Sequence, residues 1–589
     1  MPVRHPAWSA PCVPALPRPC LMRALPVLAV LIGALGLALG LRVMLRAPGH
    51  AGLTPAAAAA DPQAVPQGHV YTGLAEEPSD INPFTTGEAV ARRLVLAYTH
   101  DCLLDCDPVT GALRPALATF EVARDGKTCT FALRQGVRFS DGAPLTMADV
   151  LFGWDLAKAG HLAFGVIGDA FARVEAVDVL DDQHFRVHFR GVHFAATQAV
   201  GEGWFVVQRR FFVDRIAKRA AAMNEPVPPV DSAAFARLFE QIETECGPGT
   251  GPYMLQNLPE GPSTWRRRQD LLLVRNPHSW RREAQPGCWN FEGIRTLFRD
   301  PQNAFTALVR REVDWFSCPQ ADEVLKSRPE LAQSYRKLCF DYRTLGVFRV
   351  VWNCNRPPYD DCRVRRALAR LFDQDSMLAV FGSDAAVAAR AHAKPDSAEY
   401  PHPGQEFGFD PAAARQQLRA AGFDPAQQKP LRLAFLAPDG NETMRRLVDL
   451  FADAGKRAGL DLEVRTREWE QYASERDNGA WDGLLALDYF NAWGDPYDFV
   501  HSTGLSNFGH WQNDEADRLA TAARAELDVG RRQALLRELH ELVYQEQPVT
   551  FLVHPRASIL LNVHVENVAP GPLGLVVERA FVRPEFQRE

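Results

Sequence analysis

Beyond residue 66 the apolar positions alternate between short runs of period two and longer stretches of helical period, which predicts an α/β chain rather than an all-α or all-β one. Phe131 and Leu133 share one face of Thr130 to Arg134, and after Gln135-Gly136 the residues Val137 and Phe139 repeat the pattern, so a hairpin is predicted there. Asp141-Gly142 closes it. Thr146, with Asp149 three residues later, reads as a capping box that opens a helix carrying Val150, Leu151 and Trp154. Phe185, Val187 and Phe189 mark a half-buried strand, and Leu345 to Val351 a largely buried one. The pattern then becomes βαβ-like: a strand at Leu431 to Leu436, Asn441 as N-cap, an amphipathic helix from Met444 to Arg457 ending near Gly459, and strands around Leu462 to Val464 and Leu484 to Leu487. A helix from about Gly530 to Gln545, with Leu535, Leu539 and Leu542 on one face, and a strand at Thr550 to Val553 follow.

The region before residue 67 has another character. Ala24 to Leu41 is an uncharged apolar run with Arg4, Arg18 and Arg23 before it and Arg42 and Arg46 after it. Its 18 residues would make about 27 Å of helix, close to the roughly 30 Å of a bilayer's hydrocarbon core. Residues 24–46 therefore read as a membrane anchor or an export signal, with 1–23 a basic leading segment and 47–66 an Ala/Pro-rich tether. The small-residue tract Ala56 to Ala60 lies far downstream for a cleavage site, which favours an uncleaved anchor with the rest of the chain outside the cytoplasmic membrane.

Charge and chemistry narrow the function. Lys and Arg number 65 against 72 Asp and Glu, a net charge of −7 with no long basic block, so nucleic acid is not an expected partner. The chain contains no Gly-x-Ser-x-Gly elbow and no Walker loop, and His540-Glu541 lacks the second His of a zincin helix. Gly247-Pro-Gly249-Thr-Gly251 has no following Lys and runs into Pro252-Tyr253, so it reads as a structural turn. Neither Cys102/Cys106 nor Cys354/Cys362 has zinc-ligand spacing; in an exported chain these pairs could form disulfides or stay structural. No catalytic residue, metal or cofactor is expected.

The segment from Phe131 to Phe152, FALRQGVRFSDGAPLTMADVLF, closely resembles the extracytoplasmic solute-binding proteins of family 5, which serve ABC importers of oligopeptides, dipeptides and nickel. The likeness continues in order through Glu77-Pro78 with Asn82-Pro83, Gly249-Thr-Gly-Pro-Tyr253, Arg275-Asn-Pro with Trp280, and Glu312-Val-Asp314. It goes on through Asn353 with Pro357-Pro-Tyr-Asp-Asp361, Val364-Arg-Arg-Ala-Leu368, Trp469 with Tyr472, and Asp495-Pro496. The resemblance implies a two-lobed, periplasmic-binding-protein-like type II fold with an extra α/β domain, closing on a peptide or other small solute and delivering it to ABC permease subunits. It also implies the domain order: lobe I in 67–100, 191–295 and 505–589, the extra domain in 101–190, and lobe II in 296–504. A receptor or an enzyme on the same scaffold is the alternative.

The resemblance marks Trp469, Tyr472 and Asn353 as candidate substrate-binding residues, and the predicted strand Leu484 to Leu487 delivers Asp488, Tyr489 and Trp493 to a carboxyl end where ligands collect. Peptide binders of the family are similar to Trp-x-x-Asp-x-x-Asp-Pro at this point, the first Asp pairing with the peptide's free amine. Here the stretch is Tyr489-Phe-Asn-Ala-Trp-Gly-Asp-Pro496, and Ala492 stands at the place of that Asp. Either Asp488, at the predicted strand end, takes over the amine or it merely caps the turn. Asp495 reads as a turn residue. Trp469, Tyr472 and Trp493 offer aromatic area to a cleft or pack in a core.

Overall fold

A computed structural model describes residues 67–86, 88–164, 168–242, 244–255, 265–340, 346–382, 384–402, 407–439, 442–488, 494–571 and 574–587. The apolar run at 24–41, Asn441, Tyr489, Ala492 and Trp493 lie outside them.

Three sheets organise the chain. The first has eight strands, in the order Tyr335–Phe340, Ala557–Asn562, Trp315–Ser317, Gln67–Ala75, Phe291–Phe298, Asp270–Arg275 and Tyr253–Leu255, with Trp265–Arg266 paired to Asp270–Arg275. The second has six: Ala386–Ala388, Val549–Pro555, Val347–Trp352, Gly483–Asp488, Arg432–Pro438 and Asp461–Arg467. The third, of Ala118–Val122, Thr128–Leu133, His184–Phe189 and Val174–Val179, is antiparallel throughout. Its inward face of Cys129, Phe131, Phe185 and Val187 is continuous with the core of the first sheet. The second sheet has separate cores on its two faces. Phe348, Val350 and Trp352 pack with the helix Glu442–Ala458 on one side, while Val347 and Val351 pack with Asp514–Ala525 and Val529–Glu546 on the other.

The chain passes between these sheets twice. It leaves the first after Phe340 and enters the second at Val347; it leaves the second at Pro555 and re-enters the first at Ala557. The crossings run side by side, since Phe340 pairs with Ala557 and Phe348 with Val553. Sheet membership thus partitions the chain at 347–555, whereas the family resemblance placed the second lobe at 296–504. The difference arises because Trp315–Ser317 and Tyr335–Phe340 still pair in the first sheet and Val549–Pro555 pairs in the second.

Most predicted elements form. The helix Met147–Ala159 starts with the expected capping box of Thr146 and Asp149, and the strands and helices predicted between 431 and 553 appear within a few residues of their expected ends. The hairpin between 130 and 139 does not form. Thr128–Leu133 pairs instead with Ala118–Val122 and His184–Phe189, strands whose longer apolar ladder offers more burial than the short stretch at 137–139. Cys102, Cys106, Cys354 and Cys362 carry thiols, not disulfides; the Cys106 thiol donates to Gly111 O at 3.3 Å.

Candidate functional site

Strand directions fix where a ligand can lie. In the first sheet Gln67–Ala75 runs parallel to Phe291–Phe298 and Trp315–Ser317, and Tyr335–Phe340 shares their direction because both it and Trp315–Ser317 are antiparallel to Ala557–Asn562. In the second, Arg432–Pro438, Asp461–Arg467 and Gly483–Asp488 are parallel, and Val549–Pro555 shares their direction through the antiparallel strand Val347–Trp352. The carboxyl ends of both sets therefore meet at the two crossings. Open α/β sheets collect ligands beyond the carboxyl ends of their strands, and here two such edges border the same space.

Asp488 ends its strand at that edge, in register with Val347. Trp469 opens the helix Trp469–Asp477 directly after the strand Asp461–Arg467, which brings it to the same edge. Its ring stacks on that of Tyr472, centroids 5.5 Å apart at 28°. Trp469 is half-buried, and its indole N–H is buried without an acceptor among the described residues. Tyr472 is turned inward: it is buried, and its hydroxyl donates to Leu485 O at 2.9 Å.

The structure does not bring Asn353 to these residues. It follows the far end of Val347–Trp352, six residues from Val347, or about 20 Å at the rise of a strand. There its Nδ2 donates to Gly479 O at 3.2 Å and Trp481 O at 2.9 Å, holding the loop that leads into Gly483–Asp488. Asn353 thus braces the strand through its Nδ2 at the edge opposite Asp488, while its Oδ1 is buried without a partner among the described residues.

Asp495 does start a turn, with Oδ1 accepting from Tyr497 N at 3.1 Å. Its other oxygen meets Arg524 at 2.7 Å and His193 Nε2 at 3.3 Å. Burial raises this carboxyl's pKa, but the His193 hydrogen bond and the Arg524 charge outweigh it and hold the group below the usual carboxylate range. Sequence reasoning missed both partners, because 302 positions separate His193 from Asp495 and no local pattern joins them.

Among the described residues no group of three or more His, Cys, Asp or Glu is placed to hold a metal, and no helix is long and apolar enough to cross a membrane.

Residues 112–510 match the model of the bacterial extracellular solute-binding proteins, family 5 Middle. The chain belongs to this family. It is 22% identical over 521 residues to the dipeptide-binding protein of Escherichia coli K12, covering 84% of this chain and 91% of that protein. It is 24% identical over 552 residues to di/tripeptide-binding protein 2 of Pseudomonas aeruginosa, covering 87% and 94%. The oligopeptide-binding protein AppA of Bacillus subtilis, solved with a nonapeptide, superposes with a TM-score of 0.67 at 18% identity, over 88% of this chain and 99% of that one. The fold is accordingly the two-lobed type II binding-protein fold, and the family is one of solute-binding proteins.

Proposed function

We propose that this protein is the extracytoplasmic solute-binding component of an ABC importer, capturing a peptide-like solute between two lobes and handing it to permease subunits. The observation that carries this reading is the meeting of two carboxyl edges where the chain crosses twice between the sheets: two neighbouring crossings can act as a hinge that lets the edges approach each other and bury what lies between them. Relatives named for dipeptides and di/tripeptides, and a neighbour holding a nonapeptide, support a peptide-like ligand. Asp488, Tyr489, Trp493 and Trp469 are the proposed contacts, Trp469 supplying both a ring face and a donor that gains a partner on binding. Tyr472 supports Trp469 from beneath. Lobe II is taken as 347–555, and residues 24–46 tether the protein to the outer face of the cytoplasmic membrane.

Binding of this kind ends in closure and leaves the ligand chemically unchanged. Mass spectrometry of protein purified natively should recover an intact peptide-like solute, and small-angle scattering should show compaction when that solute is added back. Conversion of added solute to product in molar excess would overturn the reading in favour of an enzyme on this scaffold. Mature protein beginning near Asp61 and released without detergent would overturn the tether.

A further inference from the structure

The loop after the third sheet's strand His184–Phe189 meets residues that pack on the second sheet. We infer that His193, Asp495 and Arg524 form a clasp that holds the second lobe against the four-stranded domain when the cleft is closed, an inference that rests on the two-lobed closure proposed above. His193 follows the strand His184–Phe189 of the four-stranded sheet, whereas Asp495 and Arg524 belong to the 494–525 region that packs on the second sheet.

Several contacts cross this boundary together. His193 Nε2 lies 3.3 Å from Asp495 Oδ2. The Phe194 amide donates to Arg524 O at 3.0 Å, and the Arg532 guanidinium sits 4.4 Å from the centre of the Phe194 ring. The Asp125-Gly126 turn of the four-stranded sheet reaches Leu527, because a Cβ on Gly126 would come within 2.8 Å of Leu527 Cδ1. Four groups on one body thus meet four on the other, although the chain separates them by some 300 to 400 positions.

The arrangement of charge explains how such a contact can release. The buried Asp495 carboxylate has a cation of its own lobe, Arg524 Nε at 2.7 Å, which is also stacked on Tyr497 with its guanidinium carbon 3.6 Å from the ring centre. Opening takes the His193 bond from Asp495 but leaves it Arg524, so the buried carboxylate keeps a cation, whereas losing its cation is what makes most buried ion pairs hard to separate. Asp495 is also only two residues past Trp493, so the clasp takes hold of the segment that leaves the proposed ligand edge at Asp488. Closing over a solute and engaging His193 are then one movement.

The test uses the full chain purified natively with its solute retained, in wild type, His193→Ala and Asp495→Asn; asparagine keeps an oxygen to accept from Tyr497 N, so the turn survives. Hydrogen exchange is followed in peptides spanning 190–196 and 523–528. Each variant should speed exchange in both segments by roughly tenfold, the change expected from one lost charged contact, while the strands Thr128–Leu133 and Val549–Pro555 keep wild-type protection. Exchange that rises only in the segment containing the mutation, or in neither, overturns the clasp. Failure of the clasp is distinct from failure of the binding function, because the latter is read from the solute recovered with the wild-type protein.

Discussion

Arg281 Nε donates to Asp101 Oδ1 at 2.8 Å, and neither side chain reaches solvent. Around this pair the Trp280 indole and the Thr250 hydroxyl donate to the other Asp101 oxygen at 2.7 and 3.0 Å, while Arg281 Nη1 donates to Asp105 at 3.2 Å. Burial opposes the charge on Arg281, but Asp101 and Asp105 overcome it and raise its pKa. The network pins the start of the segment leading to the four-stranded domain onto the first sheet's turns.

Removing Arg281 takes its guanidinium from the buried Asp101 carboxylate, while Asp105 keeps Arg114 Nη2 at 3.1 Å. Arg281→Met should therefore destabilise the protein by about 3–5 kcal/mol, the usual cost of breaking a buried pair from one side. A urea titration reads the loss as a lower midpoint. An unchanged midpoint would show that the Asp101 carboxylate finds another cation or water.

The same network explains what could be read from the sequence and what could not. The Gly-Thr-Gly-Pro-Tyr stretch looked like a turn because of its composition, and a turn it is, but the reason lies in tertiary contact. A Cβ on Gly249 would fall 1.9 Å from Thr99 O, and one on Gly251 2.4 Å from Tyr98 O. Thr250 serves Asp101, and Asn276 of the Arg-Asn-Pro stretch donates to Gly251 O at 2.8 Å. In the Val-Arg-Arg-Ala-Leu stretch, Arg365 is buried and donates to the carbonyls of Tyr359, Asp360 and Glu546. The motifs that made the family legible are thus largely braces of the scaffold, which is why they speak clearly about fold and weakly about ligand. The strands and helices of the second lobe were legible because burial on two faces imposes a strong apolar rhythm. That Asn353 lies at the edge opposite Asp488 could not be read from sequence order, which does not reveal that its strand runs antiparallel to Gly483–Asp488.

Acid should weaken the second lobe through two buried histidines. His540 and His554 are both buried; burial pushes the His540 pKa down to about 3, with His392 adding to it, and the His554 pKa down to about 4, with Lys394 and His392 adding to it. An unfolded histidine titrates near 6.5, so below that pH the unfolded chain binds protons that the folded one refuses. Stability should be level with respect to these groups above about pH 7 and fall as pH drops from about 6.5 towards 4, each contributing a slope of up to about 1.4 kcal/mol per unit. Thermal melts across this range for wild type and His540→Phe decide it: the variant's curve should be shallower, and a parallel curve would remove His540 as a source of the slope.

The charge of the solute turns on Asp488. Its strand is fixed on both sides, by Val347–Trp352 and by Arg432–Pro438, and it ends at the carboxyl edge where the cleft is proposed. The family resemblance of the sequence implies that Ala492 takes the place of the carboxylate with which peptide binders accept a free amine. A cationic amine sealed between lobes loses several kcal/mol of hydration unless a carboxylate receives it, so a peptide ligand with a free amine requires a substitute, and Asp488 is an acid that the fold carries to this edge. Asp488→Asn should then weaken binding of an amine-bearing peptide by about 2–5 kcal/mol, the usual loss when one partner of a buried charge pair is truncated. Thermal stability of the unliganded variant should stay close to that of the wild type, because the strand is held by its neighbours' backbone. Calorimetry on the two proteins with a tripeptide and its N-acetylated form separates the cases. Preference for the free amine that vanishes in the variant assigns Asp488 to the amine; equal binding of both peptides by both proteins removes Asp488 from the site and makes an amine-blocked or neutral solute the natural ligand.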